Sequence, residues 1–163
     1  MGINFVKQWN QGGMNDLSKL YTVFTVDAVS LPALKDTALG VIATQTWSPD
    51  LDNPMNQKFV ADYKAKYGGY PSFYAAQAYD TMMAIDYAIG KAGSADTEAM
   101  RAVLAGGGIP TTRGILQMNS NQFPIQNVYL REVVLDSDGV ATTKIIDTVF
   151  ENHGDAYAKD CKF

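Results

Sequence analysis

His153 is the only histidine in the sequence and Cys161 the only cysteine. Any Ser/His/Asp or Cys/His device would have to run through that one imidazole. It stands in the polar run Glu151-Asn152-His153-Gly154-Asp155, which reads as a solvated tail. No Gly-Xaa-Ser-Xaa-Gly elbow, phosphate loop or dinucleotide-binding glycine fingerprint occurs. Gly106-Gly107-Gly108 lacks the lysine and Ser/Thr of a phosphate loop and reads as a helix stop. Asp50 and Asp52 could open a calcium loop, but the rest of that loop, including its distal glutamate, is missing. The expectation is therefore no catalysis, no metal and no cofactor. Cys161 cannot form an internal disulfide and reads as a free thiol near the chain end.

Binding is the chemistry that remains. Phe24, Trp47, Tyr70, Phe73, Tyr74 and Tyr79 all fall near turns or element ends. Aromatics in such places commonly wall small-ligand clefts, and core packing is the alternative for each. Asp27 follows a strand-like run, and the carboxyl ends of parallel strands are where open α/β sheets bind ligands. The alternative for Asp27 is a helix-capping or solvated loop residue, and the spacing does not separate the two.

Several elements must position these groups. Ile3, Phe5, Val6 and Trp9 give a helical spacing that Gly12-Gly13 closes. Leu20-Tyr21-Thr22-Val23-Phe24 predicts a strand, and Ser30-Leu31-Pro32-Ala33-Leu34 a short helix. Leu39–Thr44 is a continuous apolar run of the kind found in buried parallel strands. Residues 47–54 form a turn-rich connector, the best candidate for a boundary between substructures. Asn53 and Pro54 then open a helix with the stripe Phe59, Val60, Tyr63 and Tyr67, which Gly68-Gly69 stops. A second helix is predicted from about Tyr74 to Ile89 and a third from about Asp96.

The last third changes character. Gly114–Met118 reads as a strand, and 127–135 is strand-like in composition although its alternation is rough. Asp136-Ser137-Asp138-Gly139 predicts a hairpin turn, and Ile145–Phe150 its returning strand. This order, βαβ then three helices then strands, predicts an α/β fold with an antiparallel edge. The 163 residues carry a net charge of -4 without a basic stripe, which argues against nucleic-acid phosphates as partners. No apolar run is long enough to cross a bilayer. The sequence at Met1 shows no signal-peptide pattern.

Several stretches together resemble one family. They are Gly2-Ile3-Asn4-Phe5-Val6-Lys7-Gln8, Leu31-Pro32-Ala33-Leu34 with Gly40-Val41, and Trp47-Ser48-Pro49 with Asn53-Pro54. Lys66-Tyr67-Gly68, Pro71-Ser72 and Ala75-Ala76-Gln77-Ala78-Tyr79-Asp80 continue the set, and Arg113-Gly114 and Pro124-Ile125-Gln126-Asn127-Val128-Tyr129 complete it. The chain resembles the C-terminal part of a periplasmic substrate-binding protein of ABC transporters, of the branched-chain amino-acid (Leu/Ile/Val-binding) type I class. The resemblance implies a partial periplasmic-binding-protein-like α/β fold, with parallel strands, flanking helices and an antiparallel C-terminal hairpin. Residues 1–47 would belong to the second of two lobes. Residues 48–118 would be a helical segment that packs on the first lobe, and 119–163 the hinge return and hairpin of the second.

The resemblance also implies a function. A small amphipathic solute (an amino acid, an amide or an aromatic acid) would be held between two lobes in the periplasm and delivered to a membrane permease. Tyr79 matches a position where the family often places a ligand-contacting aromatic. The loop Phe24-Thr25-Val26-Asp27 matches the place of a carboxylate that pairs with a ligand ammonium, which makes Asp27 the candidate. Phe24 and Thr25 share that loop, and Trp47 could wall the cleft. The rival function is a sensory or regulatory ligand-binding module of the same fold. The stripe of Phe59, Val60, Tyr63, Tyr79, Met82, Ile85 and Ile89 needs a partner surface, so self-association of the chain is a further expectation.

Overall fold

The computed structural model describes residues 1–161. Helix α1 (Gly2–Gln11) leads to strand β1 (Tyr21–Val23), the short helix α2 (Leu31–Leu34) and strand β2 (Ile42–Gln45). Three helices follow, α3 (Pro54–Tyr67), α4 (Phe73–Ala92) and α5 (Thr97–Ala105). Strands β3 (Ile109–Thr111), β4 (Gly114–Met118), β5 (Pro124–Leu135) and β6 (Ala141–His153) close the order. Residues 162 and 163 of the expected hairpin segment lie outside the described residues.

The helix bounds have local causes. Asn53 caps α3, its side-chain oxygen accepting from the Asn56 amide at 2.9 Å, and Pro54 occupies the first turn. Gly68 ends α3 with a left-handed φ of 76°. Ser72 and Asp96 cap α4 and α5 in the same way, their side chains accepting from the Ala75 and Ala99 amides. A cap of this kind is worth about 1 kcal/mol. No helix among the described residues is long and apolar enough to cross a membrane.

The sheet runs β1-β2-β5-β4-β3, with β6 paired along β5 from Gln126 to Leu135. β1 and β2 pair in parallel, Tyr21 opposite Ile42 and Val23 opposite Thr44. All other pairings are antiparallel. β5 joins the two parts of the molecule. Its first residues, Pro124 and Ile125, pair with β4, whereas Tyr129–Glu132 pair with β2. The β5–β6 register slips between Gln126 and Val128, between Val128 and Tyr129, and between Leu130 and Arg131. Each slip moves side chains between faces, which is why the apolar alternation over 127–135 is rough in the sequence.

Two apolar cores result. One gathers Val6, Leu20, Val26, Leu34, Val41 and Val133 between the β1–β2–β5 face and helices α1 and α2. The other gathers Trp47, Phe59, Phe73 and Ala76, with Val60, Tyr63 and Tyr79 against them. The expected α3–α4 stripe is thus divided. Phe59 is buried, while Met82 and Ile89 of α4 are exposed. β3 was not separately visible in the sequence, because Ile109-Pro110-Thr111 is too short to show a period.

Candidate functional site

The β1 strand stops at Val23, and Phe24 takes a left-handed φ of 55°. A bulky side chain in that region costs about 1–2 kcal/mol and persists only where its surroundings impose it. The surroundings are Val26, buried in the first core, and Ser30 behind it. The Ser30 hydroxyl donates to the Thr25 carbonyl at 2.9 Å and accepts from the Asp27 amide at 3.1 Å. Thr25 Oγ1 donates back to the Val23 carbonyl at 3.1 Å. With Val26 turned in and the loop bonded to Ser30, Phe24 is turned out and is 54% exposed.

Phe24 meets the start of α4. Its ring lies 5.5 Å from Phe73, tilted by 56°, and Phe73 lies 5.9 Å from Tyr74 in an edge arrangement. Phe73 is buried under the pair, and Tyr74 is 61% exposed. The result is an aromatic surface built from two distant stretches of sequence. Such contacts add about 0.5–1.5 kcal/mol each beyond area burial, and two of the three rings still present a face to solvent.

The other sequence-predicted residues lie around or beneath this surface. Trp47 is 2% exposed; it packs edge-on against Phe59 and its indole N–H donates to Asn56 Oδ1 at 2.8 Å. The Asn56 amide nitrogen donates in turn to the carbonyls of Ser48, Pro49 and Leu51 at 3.1–3.3 Å. The connector after β2 is thereby bonded to α3 throughout. Tyr79 is half-buried, its ring 4.7 Å from Phe59. Asp27 is half-buried too; its Oδ1 accepts from the Val29 amide at 2.9 Å. It lines a small cavity with Trp47, Tyr70, Pro71 and Arg131. Phe24 therefore stands at the surface, Thr25, Asp27 and Tyr79 are half-buried, and Trp47 is buried.

A buried polar network fixes α4. Asp80 is 4% exposed and accepts from the Thr112 amide at 2.6 Å, the Thr112 hydroxyl at 3.1 Å and Arg113 Nε at 3.1 Å. Arg113 Nη1 continues to Gln126 on β5. The network ties α4 to the β3–β4 turn and to β5, and so sets where Phe73 and Tyr74 arrive. Asp80 and Arg113 stand in the sequence as part of the resemblance alone; their pairing spans 33 positions and has no local signal.

A second bonded cluster lies at the hairpin tip. The Tyr70 hydroxyl donates to Asp136 Oδ2 at 2.8 Å, and Lys64 Nζ stands 4.1 Å over the Tyr70 ring and 3.9 Å from Asp136. Asp136 also accepts from the Val140 and Asp138 amides. The Val140 amide first, then the Tyr70 hydroxyl, hold the Asp136 carboxyl below the ordinary carboxylate range.

Among the described residues no hydrogen bond joins His153 to a serine, threonine or cysteine side chain. His153 is exposed at the end of β6, stacked 4.9 Å from Phe150. Among the described residues no group of three or more His, Cys, Asp or Glu side chains could hold a metal ion. The site offers an exposed aromatic surface and a hydrogen-bonded loop, which suits binding.

A family model described as periplasmic binding protein matches residues 1–139. The Leu/Ile/Val-binding protein homolog 6 of Brucella abortus is 38% identical over 130 residues, covering 77% of this chain and 33% of that protein. A solute-binding protein of an ABC transporter from Rhodopseudomonas palustris BisB5, solved with 3,4-dihydroxybenzoic acid, superimposes with a TM-score of 0.82 at 30% identity. That match covers 95% of this chain and 43% of the other. A second R. palustris solute-binding protein, solved with benzoate, gives a TM-score of 0.83 at 25% identity over 99% of this chain and 43% of the other. The chain spans about a third of the length of the curated relatives it matches.

Proposed function

The chain belongs to the periplasmic binding protein family, and from that premise we propose that it forms part of the extracytoplasmic solute-binding component of an ABC importer. It would hold a small amphipathic solute, such as an amino acid, an amide or an aromatic acid, against the Phe24–Phe73–Tyr74 surface and pass it to a membrane permease. In this reading residues 1–47 belong to one lobe, the helices of 48–118 pack on the other, and 119–163 return through the hinge. A facing surface beyond this chain would close over the solute.

The observation that carries the reading is the outward Phe24 in a left-handed backbone at the carboxyl end of a parallel strand, in contact with the start of α4. Strand ends of open α/β sheets are where ligands bind. An aromatic that keeps an unfavourable φ while half exposed is not held there by burial alone. Phe24 and Tyr74 supply the apolar wall, and Thr25 lies beside it with a hydroxyl. Trp47 and Tyr79 support the wall from behind. The solved relatives that hold 3,4-dihydroxybenzoic acid and benzoate give the aromatic acids as first candidates.

The test is a titration followed by NMR on the chain itself. A single wall of a cleft contacts a small solute on one side, so binding near a Kd of about 1 mM, some 4 kcal/mol, is expected. Benzoates, branched-chain amino acids and simple amides are each titrated. At least one class should shift the signals of Phe24, Thr25, Phe73 and Tyr74, and Phe24→Ala should abolish the shifts. If no class moves these residues at several tens of millimolar, the site assignment is wrong.

A further inference from the structure

Arg131 lies in the middle of β5 and is 1% exposed. Its Nη1 donates to Thr143 Oγ1 at 3.2 Å, whereas Nε and Nη2 are buried without a partner. Among the described residues no carboxylate oxygen lies within 4.0 Å of the guanidinium. Burial is the main influence on its pKa, lowering it to about 10, and Asp27 and then Asp50 act against that. Asp50 is already occupied, accepting from the Ile145 amide at 2.9 Å and from the Ser48 hydroxyl. Asp27 has a single contact, the Val29 amide on Oδ1.

Asp27 and Arg131 face one cavity of about 10 Å3, together with Thr142 and Thr143. That volume suits one water molecule, which needs two to four polar partners. Two guanidinium N–H groups, a carboxylate oxygen and a threonine hydroxyl meet that need. A chloride-sized anion is disfavoured by the volume and by the charge of Asp27 itself. We propose that one water in this cavity bridges Asp27 to Arg131 and so holds the Phe24–Val29 loop in its outward conformation. Asp27 is then a positioning residue for Phe24, its carboxylate committed inward and not to a ligand. The unfavourable φ of Phe24 has a restraint three residues away, anchored on β5.

Asp27→Asn keeps the shape and the contact to the Val29 amide but removes the charge. In the ligand-free chain it leaves the buried guanidinium with only Asp50, the weaker of its two carboxylate influences, and amide exchange over residues 25–30 should speed up by about 10- to 150-fold. Adding Arg131→Met to Asp27→Asn should bring exchange back toward the parental rate, because the unpaired charge is gone. A capping or solvated Asp27 predicts no change from Asp27→Asn. Unchanged exchange in that variant, or no recovery in the double variant, overturns the proposal. If the double variant fails to fold, a crystal structure of the unaltered chain decides. One water within about 3.2 Å of both groups supports the bridge, and a dry cavity or an Arg131 turned to solvent overturns it. Because exchange is read without ligand, a negative result leaves the solute-binding reading standing.

Discussion

Removing the Asp80 carboxylate should be the most damaging single change in the helical part of the molecule. Asp80→Ala deletes the acceptor for three hydrogen bonds, from the Thr112 amide, the Thr112 hydroxyl and Arg113 Nε. It also leaves the Arg113 guanidinium, whose side chain is only 12% exposed, without its counter-charge. Breaking a buried pair by removing one partner costs about 3–5 kcal/mol, because an uncompensated charge stays behind. For a chain of this size each kcal/mol moves Tm by roughly 2–4 °C, so a drop of about 8–16 °C is expected near the middle of that range. Urea unfolding followed by circular dichroism gives the free energy directly, at unchanged slope if both variants unfold in two states. The partner change Arg113→Met should also destabilise, since it strands Asp80. Asp80→Ala with Arg113→Met should cost less than the sum of the two single changes, with a coupling of at least about 1 kcal/mol. A loss below about 1 kcal/mol for Asp80→Ala, or strict additivity in the double variant, would refute the reasoning that this pair fastens α4.

Two further outcomes test other parts of the structure. The Asp136 carboxyl is held below its ordinary value, so its contribution is present above the unfolded carboxylate pKa and is lost as pH falls through the folded one. The stability difference between the parent and Asp136→Asn, measured by urea unfolding across pH, should therefore shrink toward zero in acid; a difference that persists undiminished would show that charge is not the cause. Gly107 has a φ of 70°, and a Cβ there would clash with Gln117 Oε1 and sit 3.3 Å from the Gln117 Cα. Gly107→Ala should lower stability by about 1–2 kcal/mol, and a neutral result would show that the turn after α5 can rearrange freely.

The helices and turns were legible from residues 53–106 because their causes are local. Asn53-Pro54, Ser72 and Asp96 open helices through contacts three residues away, and Gly68 and Gly93 close them through a backbone conformation that glycine adopts without strain. The Asp136–Gly139 turn and the buried run leading into β2 follow from equally short windows. The fold class followed from the order of those elements. β5 resisted because its alternation is broken by register slips that depend on β6, a strand whose pairing the sequence does not state.

The site divides along the same physical line. The sequence by itself determined that a strand ends near Phe24, that aromatics stand close to it, and that His153 is the single imidazole of this sequence. Only the tertiary structure decided which side of the loop each residue takes. Val26 entering the core turns Phe24 out; Asp27 lines one cavity with Arg131, 104 positions away. One signal for Arg131 was available, since it shares a strand face with buried Val133 two residues on. Its need for Asp27 was not, because a strand period gives the face of a side chain and not the charge that another segment brings to meet it. Trp47 shows the same limit: its position after β2 was readable, but burial against Phe59 and the bond to Asn56 arise only when α3 folds back over the connector. Local windows fix backbone conformation, and the facing of side chains at a junction is set by long-range packing.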